Sequence, residues 1–577
     1  MGQSGDRRND GVKSSEATSA DSYDLVVVGA GAAGLTAASV SAALGLKVLL
    51  LECSNLIGGT TAISGGMIWI PANHKMALAG MVDTLGNANA YLDKTLPAEA
   101  DRRLREAFLA QGDEMVRFLE ARTAVNLRCV RTYPDYYPEL EGATAGGRVL
   151  ESVPFDGQQL GSSFSKLRPP LPEFTLFGGM MISREDIPHF RRATRSLRSF
   201  VRVARLAATY LRQRLRAARG TTLYLGNALA GRLYKSALDL GVEIRLGIGV
   251  DRLIQVNGRI IGVAFTAADQ RVTVRARRGV VLATGGISHD AELRRQHVPP
   301  QAGHRSAAVN PQAPKSGARL ALEVGARMRE PGDAGAFWVP GSYFTRRDGS
   351  EGIYPHTVTD RAKPGLIAVD ATGRRFVNEA VSYHEFGLAQ LRASATAIPA
   401  YLICDRRFLW RYGLGRVKPF SIGISVHVES GYLKCAPTLV LLARALGIPE
   451  HGLTGTVAAF NADASNGMDL EFGRGENIYQ RHLGDAERKP NPCVAPIDAS
   501  PFFAVEVYPA DLGMSAGLLT DGNARVLNQD GAPIPGLYAC GNDMDSLMAG
   551  AYPGPGITLG PGMTFAYIAA RHAIAAT

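Results

Sequence analysis

Tyr23-Asp24-Leu25-Val26-Val27-Val28-Gly29-Ala30-Gly31-Ala32-Ala33-Gly34 decides the fold. A buried-type strand runs into a tight glycine turn, and the turn opens a helix. Glu52 follows 18 residues after Gly34, at the end of a second apolar strand expected over Lys47 to Leu51. Gly58-Gly59 comes 6 residues later. Each glycine has a separate physical task. Gly29 permits the turn, Gly31 lets backbone N–H groups approach a pyrophosphate, and Gly34 lets helix and strand pack closely. The helix N-terminus then faces the phosphate charge. Glu52 is suited to accept hydrogen bonds from ribose hydroxyls and to repel a 2′-phosphate. Strand, turn, helix, acid and distal Gly-Gly at these spacings point to a dinucleotide cofactor and so to redox chemistry. A glycine-rich turn without a ligand would not need the acid.

The 577 residues, 46% of them hydrophobic and 7% aromatic, are too many for one ordinary core and suggest two domains. Six cysteines are scattered with no CxxC, which argues against a disulfide framework, a zinc ribbon or an iron–sulfur cluster and fits a reducing cytoplasm. No metal site is expected. Residues 1–22 are polar and Ser/Gly-rich with no apolar core, so they read as a disordered tail and not a signal peptide. No run of 18 apolar residues suggests a spanning helix.

The net charge of +10 is concentrated. Arg191 to Arg219 holds ten arginines and no acid. Within it Leu197, Phe200, Val201, Ala204, Ala208, Leu211 and Leu215 recur at helical steps and make one face of a helix expected over about 190–219. Three readings stay open: a helix packed on the protein with a solvated basic face, attachment to an anionic membrane surface, and nucleic-acid binding. No recognised nucleic-acid motif accompanies the charge, so no nucleic-acid partner is expected.

Strands return at Val242 to Leu246, Gly258 to Ala264, Arg271 to Ala276 and Gly279 to Ala283. The last ends in Ala283-Thr284-Gly285-Gly286, and Gly536-Leu537-Tyr538-Ala539-Cys540-Gly541-Asn542 marks another strand near the C-terminus. Both resemble strands of the glutathione-reductase-like flavin fold. Gly556 to Gly562 is expected to open a helix whose dipole would favour an anionic reduced flavin. The expected class is therefore α/β: a glutathione-reductase-like Rossmann FAD domain, residues 23–332 plus 510–577, with an inserted α+β catalytic domain at 333–509. A second GxGxxG in βαβ context is lacking, so no nicotinamide site is expected.

The Gly58 to Gly66 stretch, Gly373-Arg374-Arg375-Phe376-Val377-Asn378-Glu379 and the C-terminal strand together resemble the fumarate reductase/succinate dehydrogenase flavoprotein superfamily. Tyr133-Pro134-Asp135-Tyr136-Tyr137, Asn378-Glu379-Ala380-Val381-Ser382-Tyr383 and Tyr552-Pro553-Gly554-Pro555-Gly556, with Trp69, are similar to the 3-ketosteroid Δ1-dehydrogenases. The resemblance implies a 3-ketosteroid substrate, C1–C2 dehydrogenation, FAD and an external electron acceptor such as a quinone. It further implies that Tyr552 and the Gly556 N–H hold the C3 carbonyl oxygen. On the same resemblance Tyr383 would take the C2 proton, Tyr136 would hydrogen-bond and assist Tyr383, and flavin N5 would accept the C1 hydride. Cofactor contacts are expected from Gly29, Gly31, Ala32, Ala33, Gly34, Glu52, Cys53, Gly58, Gly59, Thr60, Thr61, Ser64, Gly65, Gly66, Ala283, Thr284, Gly285, Gly541, Asn542, Gly556, Thr558 and Leu559.

The residue chemistry is consistent with these roles. A C–H beside a ketone becomes acidic only if the enolate oxygen is stabilised, and a phenol plus a backbone N–H supplies two donors. A tyrosine base needs help, because its ordinary pKa is about 10. Most of the 19 tyrosines should be packing residues, and the choice among Tyr133, Tyr136 and Tyr137 stays open.

Rivals differ at named positions. Fumarate-reducing relatives carry a proton-donating arginine a few residues after the Asn-Glu pair, and here Tyr383 occupies that neighbourhood. Covalent flavin relatives carry a histidine near the Thr60 to Ser64 stretch, so non-covalent FAD is expected, with His74 a surface-loop residue. The Δ4-(5α)-dehydrogenases are the nearest alternative, a fumarate- or urocanate-type reductase the next, and a membrane-docked flavin carrier the non-enzymatic one. The expected location is cytoplasmic, with attachment to the inner membrane face resting on the basic helix.

Overall fold

The computed structural model describes residues 22–346 and 348–575. The tail expected over 1–22 lies outside the described residues except for Ser22, which already belongs to the first strand.

Eight strands make the larger sheet. Its path runs Arg525–Leu527, Pro533–Ala539, Gln270–Leu282, Ser22–Val28, Val48–Glu52 and Glu243–Leu246, with Arg259–Ala267 and Val250–Val256 hung on Gln270–Leu282. Ser22–Val28 pairs in parallel with Val48–Glu52 and Gln270–Leu282, and the latter pairs in parallel with Pro533–Ala539. The run Leu25 to Val28 is apolar because it is covered on both faces. Helix Ala32–Ala43 packs on it beside the long C-terminal helix Leu559–Ala575. The strands expected at Arg271 to Ala276 and Gly279 to Ala283 are one 13-residue strand: Gly279, at φ +134°, bends it without ending it.

A second sheet of six strands is antiparallel, in the order Glu351–Pro355, Ala336–Thr345, Phe502–Met514, Ala400–Asp405 and Leu366–Val369, with Lys434–Ala436 also on Phe502–Met514. The boundary expected between 509 and 510 falls inside strand Phe502–Met514, which stays paired to Ala336–Thr345 up to Met514. A small sheet of Met67–Trp69, Val149–Ser152 and Leu127–Cys129 abuts the C-terminal helix.

The basic segment forms helix Leu197–Arg214, after a short helix Ile187–Arg192 and a break. Its apolar stripe is not the packed side. Ser199 and Tyr210 are buried, whereas Leu197, Leu211 and Leu215 are 79%, 65% and 86% exposed. The reading in which that stripe packs on the protein is thus corrected. No described helix is long and apolar enough to cross a membrane.

The Asn378-Glu379 motif is a buried electrostatic knot. Glu379 accepts from Arg375 at 2.8 Å, from Arg474 at 3.0 Å and from the Ala368 N–H at 3.0 Å, and Asp469 takes the other side of Arg375 at 2.7 Å. Burial works against the charge, yet Arg375 and Arg474 hold the Glu379 carboxyl below its ordinary range. Removing one partner of such a knot costs about 3–5 kcal/mol. Glu379→Gln is expected to lower unfolding free energy by about that much at neutral pH. Because the folded pKa is depressed, the wild-type advantage should fade as pH falls through the acidic range. Denaturant melts of both proteins across pH measure this.

Candidate active site

The glycine turn is as tight as its sequence requires. A Cβ on Gly29 would sit 2.2 Å from the Ala283 carbonyl oxygen, and one on Gly34 would sit 1.9 Å from that of Gly29. At Gly31 a Cβ would meet nothing within 4 Å, because that side opens on a cavity. Glu52 closes the strand end: Oε2 accepts from the Ala30 N–H at 2.7 Å and Oε1 from the Ser54 N–H at 2.9 Å. Thr61 Oγ1 accepts from the Ala32 N–H at 3.1 Å, tying the Gly59–Ile63 turn to the helix start.

One continuous cavity of about 1480 Å³ runs from Glu52 past the turn to the tyrosines. It exceeds the roughly 300–1,000 Å³ of a single small-molecule site, so it has room for a dinucleotide and a second ligand. Gly29, Gly31, Ala32, Ala33, Glu52, Cys53, Gly59, Thr60, Thr61, Ser64, Gly65, Gly66, Ala283, Thr284, Gly285, Gly541, Asn542, Gly556, Thr558 and Leu559 line it. Gly34 and Gly58 do not: Gly34 seats the helix, and Gly58, at φ +112°, shapes the turn behind the lining. Thr284 is fixed by Asp543, whose Oδ1 accepts from its hydroxyl at 2.8 Å and whose Oδ2 accepts from its N–H. Asp543 carries no sequence signal for this role.

At the far end Tyr136, Tyr383 and Tyr552 meet, each buried. The Tyr383 hydroxyl donates to Tyr552 Oη at 2.9 Å. The Tyr136 ring stacks on Tyr552 at 5.6 Å and stands edge-on to Tyr383 at 5.7 Å. The Tyr383 hydroxyl bonds Tyr552, while the Tyr136 hydroxyl makes no hydrogen bond of full geometry yet lies close enough to Tyr383 and Tyr133 to lower the pKa of each. Tyr133 also lines the cavity, while Tyr137 turns away and donates to Glu385 at 2.7 Å. Tyr479, which stands 4.8 Å behind Tyr136, was not legible as part of the group.

Burial pushes the Tyr383 and Tyr136 phenols well above the ordinary range, and Tyr552 up to about 12. His384, behind Tyr552, is pushed down to about 3 by burial, and its Nδ1 accepts from the Trp338 N–H at 3.1 Å. The imidazole is therefore neutral at physiological pH.

Each tyrosine arrives on a different element. Ser382 caps the helix Tyr383–Arg392, accepting from the Glu385 N–H at 3.1 Å, and so places Tyr383 at the first turn. Tyr136 and the Tyr552 loop are joined directly, for the Pro553 carbonyl accepts from the Tyr136 N–H at 3.0 Å and from the Tyr91 hydroxyl at 2.6 Å. Beneath them buried Asp135 accepts from Trp69 Nε1 at 2.9 Å and from Arg148 at 2.8 Å. Gly556 has φ +97°, and a Cβ there would be 2.5 Å from the Met67 carbonyl oxygen. The C-terminal helix starts at Leu559 and not at Gly556, so Gly556 stands one turn ahead of it. His74 is half-buried at the first turn of helix His74–Leu78, paired with Asp113 at 2.6 Å, rather than in a surface loop. Among the described residues no cluster of three or more His, Cys, Asp and Glu is placed to hold a metal ion.

The FAD binding domain family matches residues 24–559. A 3-oxosteroid 1-dehydrogenase of Mycobacterium tuberculosis is 34% identical over 95% of this chain and 98% of its own. The chain belongs to the 3-ketosteroid Δ1-dehydrogenase family of FAD-binding flavoproteins. The crystal structure of 3-ketosteroid Δ1-dehydrogenase from Sterolibacterium denitrificans, in complex with 1,4-androstadiene-3,17-dione, superposes with a TM-score of 0.89 at 34% identity, covering 96% of this chain and 100% of that one. A 4-oxocyclohex-2-ene-1-carboxylate 5-dehydrogenase of Sinomonas cyclohexanicum is 36% identical over 95% of this chain and 93% of its own. The family binds FAD, and the cradle described above fits that cofactor: open space at Gly31, a ribose acceptor at Glu52 and close backbone at Gly59 to Gly66.

Filling the space at Gly31 tests the cradle without disturbing a protein contact. Gly31→Val is expected to fold with an unchanged circular-dichroism spectrum and to be purified with less than a tenth of the wild-type flavin absorbance.

Proposed function

We propose that the protein dehydrogenates the C1–C2 bond of 3-ketosteroids with non-covalently held FAD. The observation that carries the reading is the Tyr383–Tyr552 hydroxyl contact at 2.9 Å, facing the cavity beside Gly556. Tyr552 accepts from Tyr383, so its own proton is free to point at a substrate carbonyl. Together with the Gly556 N–H it makes a two-donor site for an enolate oxygen. Tyr383, as the phenolate left once its own proton has passed to solvent, takes the C2 proton and returns to the neutral phenol. Tyr136 holds both rings in place by packing. Bound FAD supplies the hydride acceptor for C1. An external acceptor, a quinone among the candidates, takes the electrons onward.

The cavity lining contains no histidine in the Thr60 to Ser64 stretch, which supports non-covalent binding. The fumarate-type alternative is weakened because Tyr383, not an arginine, occupies the neighbourhood that follows Asn378-Glu379. The Δ4-(5α) alternative is separated by product: a 5α-reduced 3-ketosteroid is expected to give the 1-ene, read by NMR, and formation of the 4-ene would overturn the assignment.

Tyr383→Phe is expected to lower kcat by about 10²–10⁴-fold while FAD is retained. Because the phenol is neutral at pH 7, the reactive phenolate fraction rises about tenfold per pH unit. The wild-type kcat/KM with a dye acceptor should therefore climb with pH through the alkaline range. A flat profile would mean that another group takes the proton.

The exposed stripe of helix Leu197–Arg214 supports attachment to an anionic lipid surface. Arg198, Arg205 and Arg212 recur along one edge of the stripe, all exposed and without an acid partner among the described residues. The helix is tied to the cavity rim, where the Tyr210 hydroxyl donates to the carbonyl of Phe177 at 2.8 Å. Phe177 lines the cavity and is 71% exposed. Apolar surface beside cations suits the headgroup boundary, and it would bring the cavity rim to the phase where sterols collect. Flotation with phosphatidylglycerol vesicles is expected to recover the protein at low salt and to lose it at high salt. Leu211→Asp/Leu215→Asp should abolish recovery, and equal recovery on neutral phosphatidylcholine vesicles would exclude the electrostatic mechanism.

A further inference from the structure

The cavity carries cations that dehydrogenation of a neutral ketone does not use. Arg184, Arg191, Lys363 and His482 line one wall, next to Tyr133. The Arg184 guanidinium lies 5.7 Å from the Tyr133 ring centre, and the His482 ring lies 4.7 Å from it. Arg184 also borders the flavin loop, for a Cβ on Gly65 would be 3.9 Å from its Nη2.

The acids around this wall are already committed. Glu185 pairs with Arg128 at 2.9 Å and Asp186 with Arg202 at 2.8 Å. Asp485 pairs with Arg411 at 2.8 Å, and Asp360 with His356 at 2.7 Å. Glu173, also on the lining, acts on Lys418 and Arg416 through space without an ion pair, and its buried Oε2 has no partner. The Arg184 guanidinium is left with no hydrogen bond or ion pair among the described residues. Lys363 Nζ donates to the carbonyls of Leu483 at 2.6 Å and Gly484 at 2.7 Å, not to a carboxylate. Arg191 lies over the Tyr412 ring at 5.3 Å, and its buried Nε has no partner. The mutual effect of these charges is visible in their titration. Burial, then Arg184 and Lys363, pushes His482 down to about 4, and burial with Arg191 pushes Lys363 down to about 8.

Asp485 offsets part of the charge on Arg191 and Lys363, and Asp360 part of that on Lys363, which leaves the Arg184 guanidinium as the cation without an ion-pair partner, and a carboxylate is the group that would complement it. We propose that Arg184, assisted by Arg191 and Lys363, binds a carboxylate carried by the ketone substrate at the end remote from its carbonyl. The inference rests on the dehydrogenation reading above and moves its substrate class from neutral 3-ketosteroids to cyclic ketones that carry an acid. A monocyclic 4-oxo acid and a 3-oxosteroid with an acidic side chain share this chemistry. Arg184 acts on binding and positioning, not on the reacting atoms.

The test compares each acid with its own methyl ester: 4-oxocyclohexanecarboxylate in one arm, a 3-oxo-4-ene steroid with a side-chain carboxylic acid in the other. At least one acid is expected to exceed its ester by tenfold or more in kcat/KM, with the difference in KM. The arm that shows it identifies the source of the carboxylate. Arg184→Gln should shrink that acid-to-ester ratio by at least tenfold, and Arg184→Lys should restore part of it. Lys363→Met provides a second variant should Arg184→Gln lose its flavin. Neutral ketones turned over with no acid preference in either arm would sink this inference and leave the dehydrogenation reading standing. If no ketone turns over, that reading fails, and acid-versus-ester binding followed by flavin absorbance still decides: equal binding overturns the carboxylate site.

Discussion

The Pro553 carbonyl is the tie on which the candidate site depends. It accepts from the Tyr136 N–H at 3.0 Å and from the Tyr91 hydroxyl at 2.6 Å, joining segments that lie more than 400 positions apart. A proline at that position gives no competing N–H. Below the tie, Asp135, Trp69 and Arg148 form a buried polar group whose members all find partners. Such a network is rigid because any slip would strand a charge out of water. The rings of Tyr136 and Tyr552 consequently face each other at fixed distance, and helix Tyr383–Arg392 needs only to bring its first residue to them.

The local parts of this design were legible in the chain itself. The turn from Gly29 to Gly34 could be read because backbone contacts at Gly29 and Gly34 leave room only for hydrogen atoms and Gly31 must leave space for a ligand. Glu52 and the Gly58-Gly59 turn followed from fixed spacing. The Tyr383–Tyr552 contact spans 169 positions, and its geometry had to wait for the fold. Periodicity located helix Leu197–Arg214, yet it does not tell which side of an amphipathic helix is covered. The polar side carrying Ser199 and Tyr210 is the covered one, through hydroxyl contacts that no apolar pattern anticipates. Arg184, Lys363 and Asp543 gave no signal, since isolated charged residues acquire meaning only from what surrounds them.

Two surfaces of the molecule make opposite demands on a ligand. The tyrosine end of the cavity is uncharged, and its phenols are held neutral by burial, which suits a carbonyl that becomes charged only as a proton leaves. The wall formed by Arg184, Arg191 and Lys363 is charged from the start and suits a permanent anion. A substrate spanning both would be oriented before any bond changes, and the ring carbons beside its ketone would be held in one register.

Strands Ala336–Thr345 and Phe502–Met514 are the paired entrance and exit of the second sheet, with Ala336 opposite Met514. On the same strand Asp511 accepts from Ser288 at 2.8 Å and Ser306 at 2.9 Å, both of which belong to the stretch around the flavin cradle. The two sheets thus share a hydrogen-bonded double strand instead of a single flexible thread. Opening and closing by free rotation is denied to such a joint, and any motion of one sheet against the other must bend that ribbon. A ligand entering without parting the sheets would pass the lining residues that face solvent, among them Phe177 and Phe420.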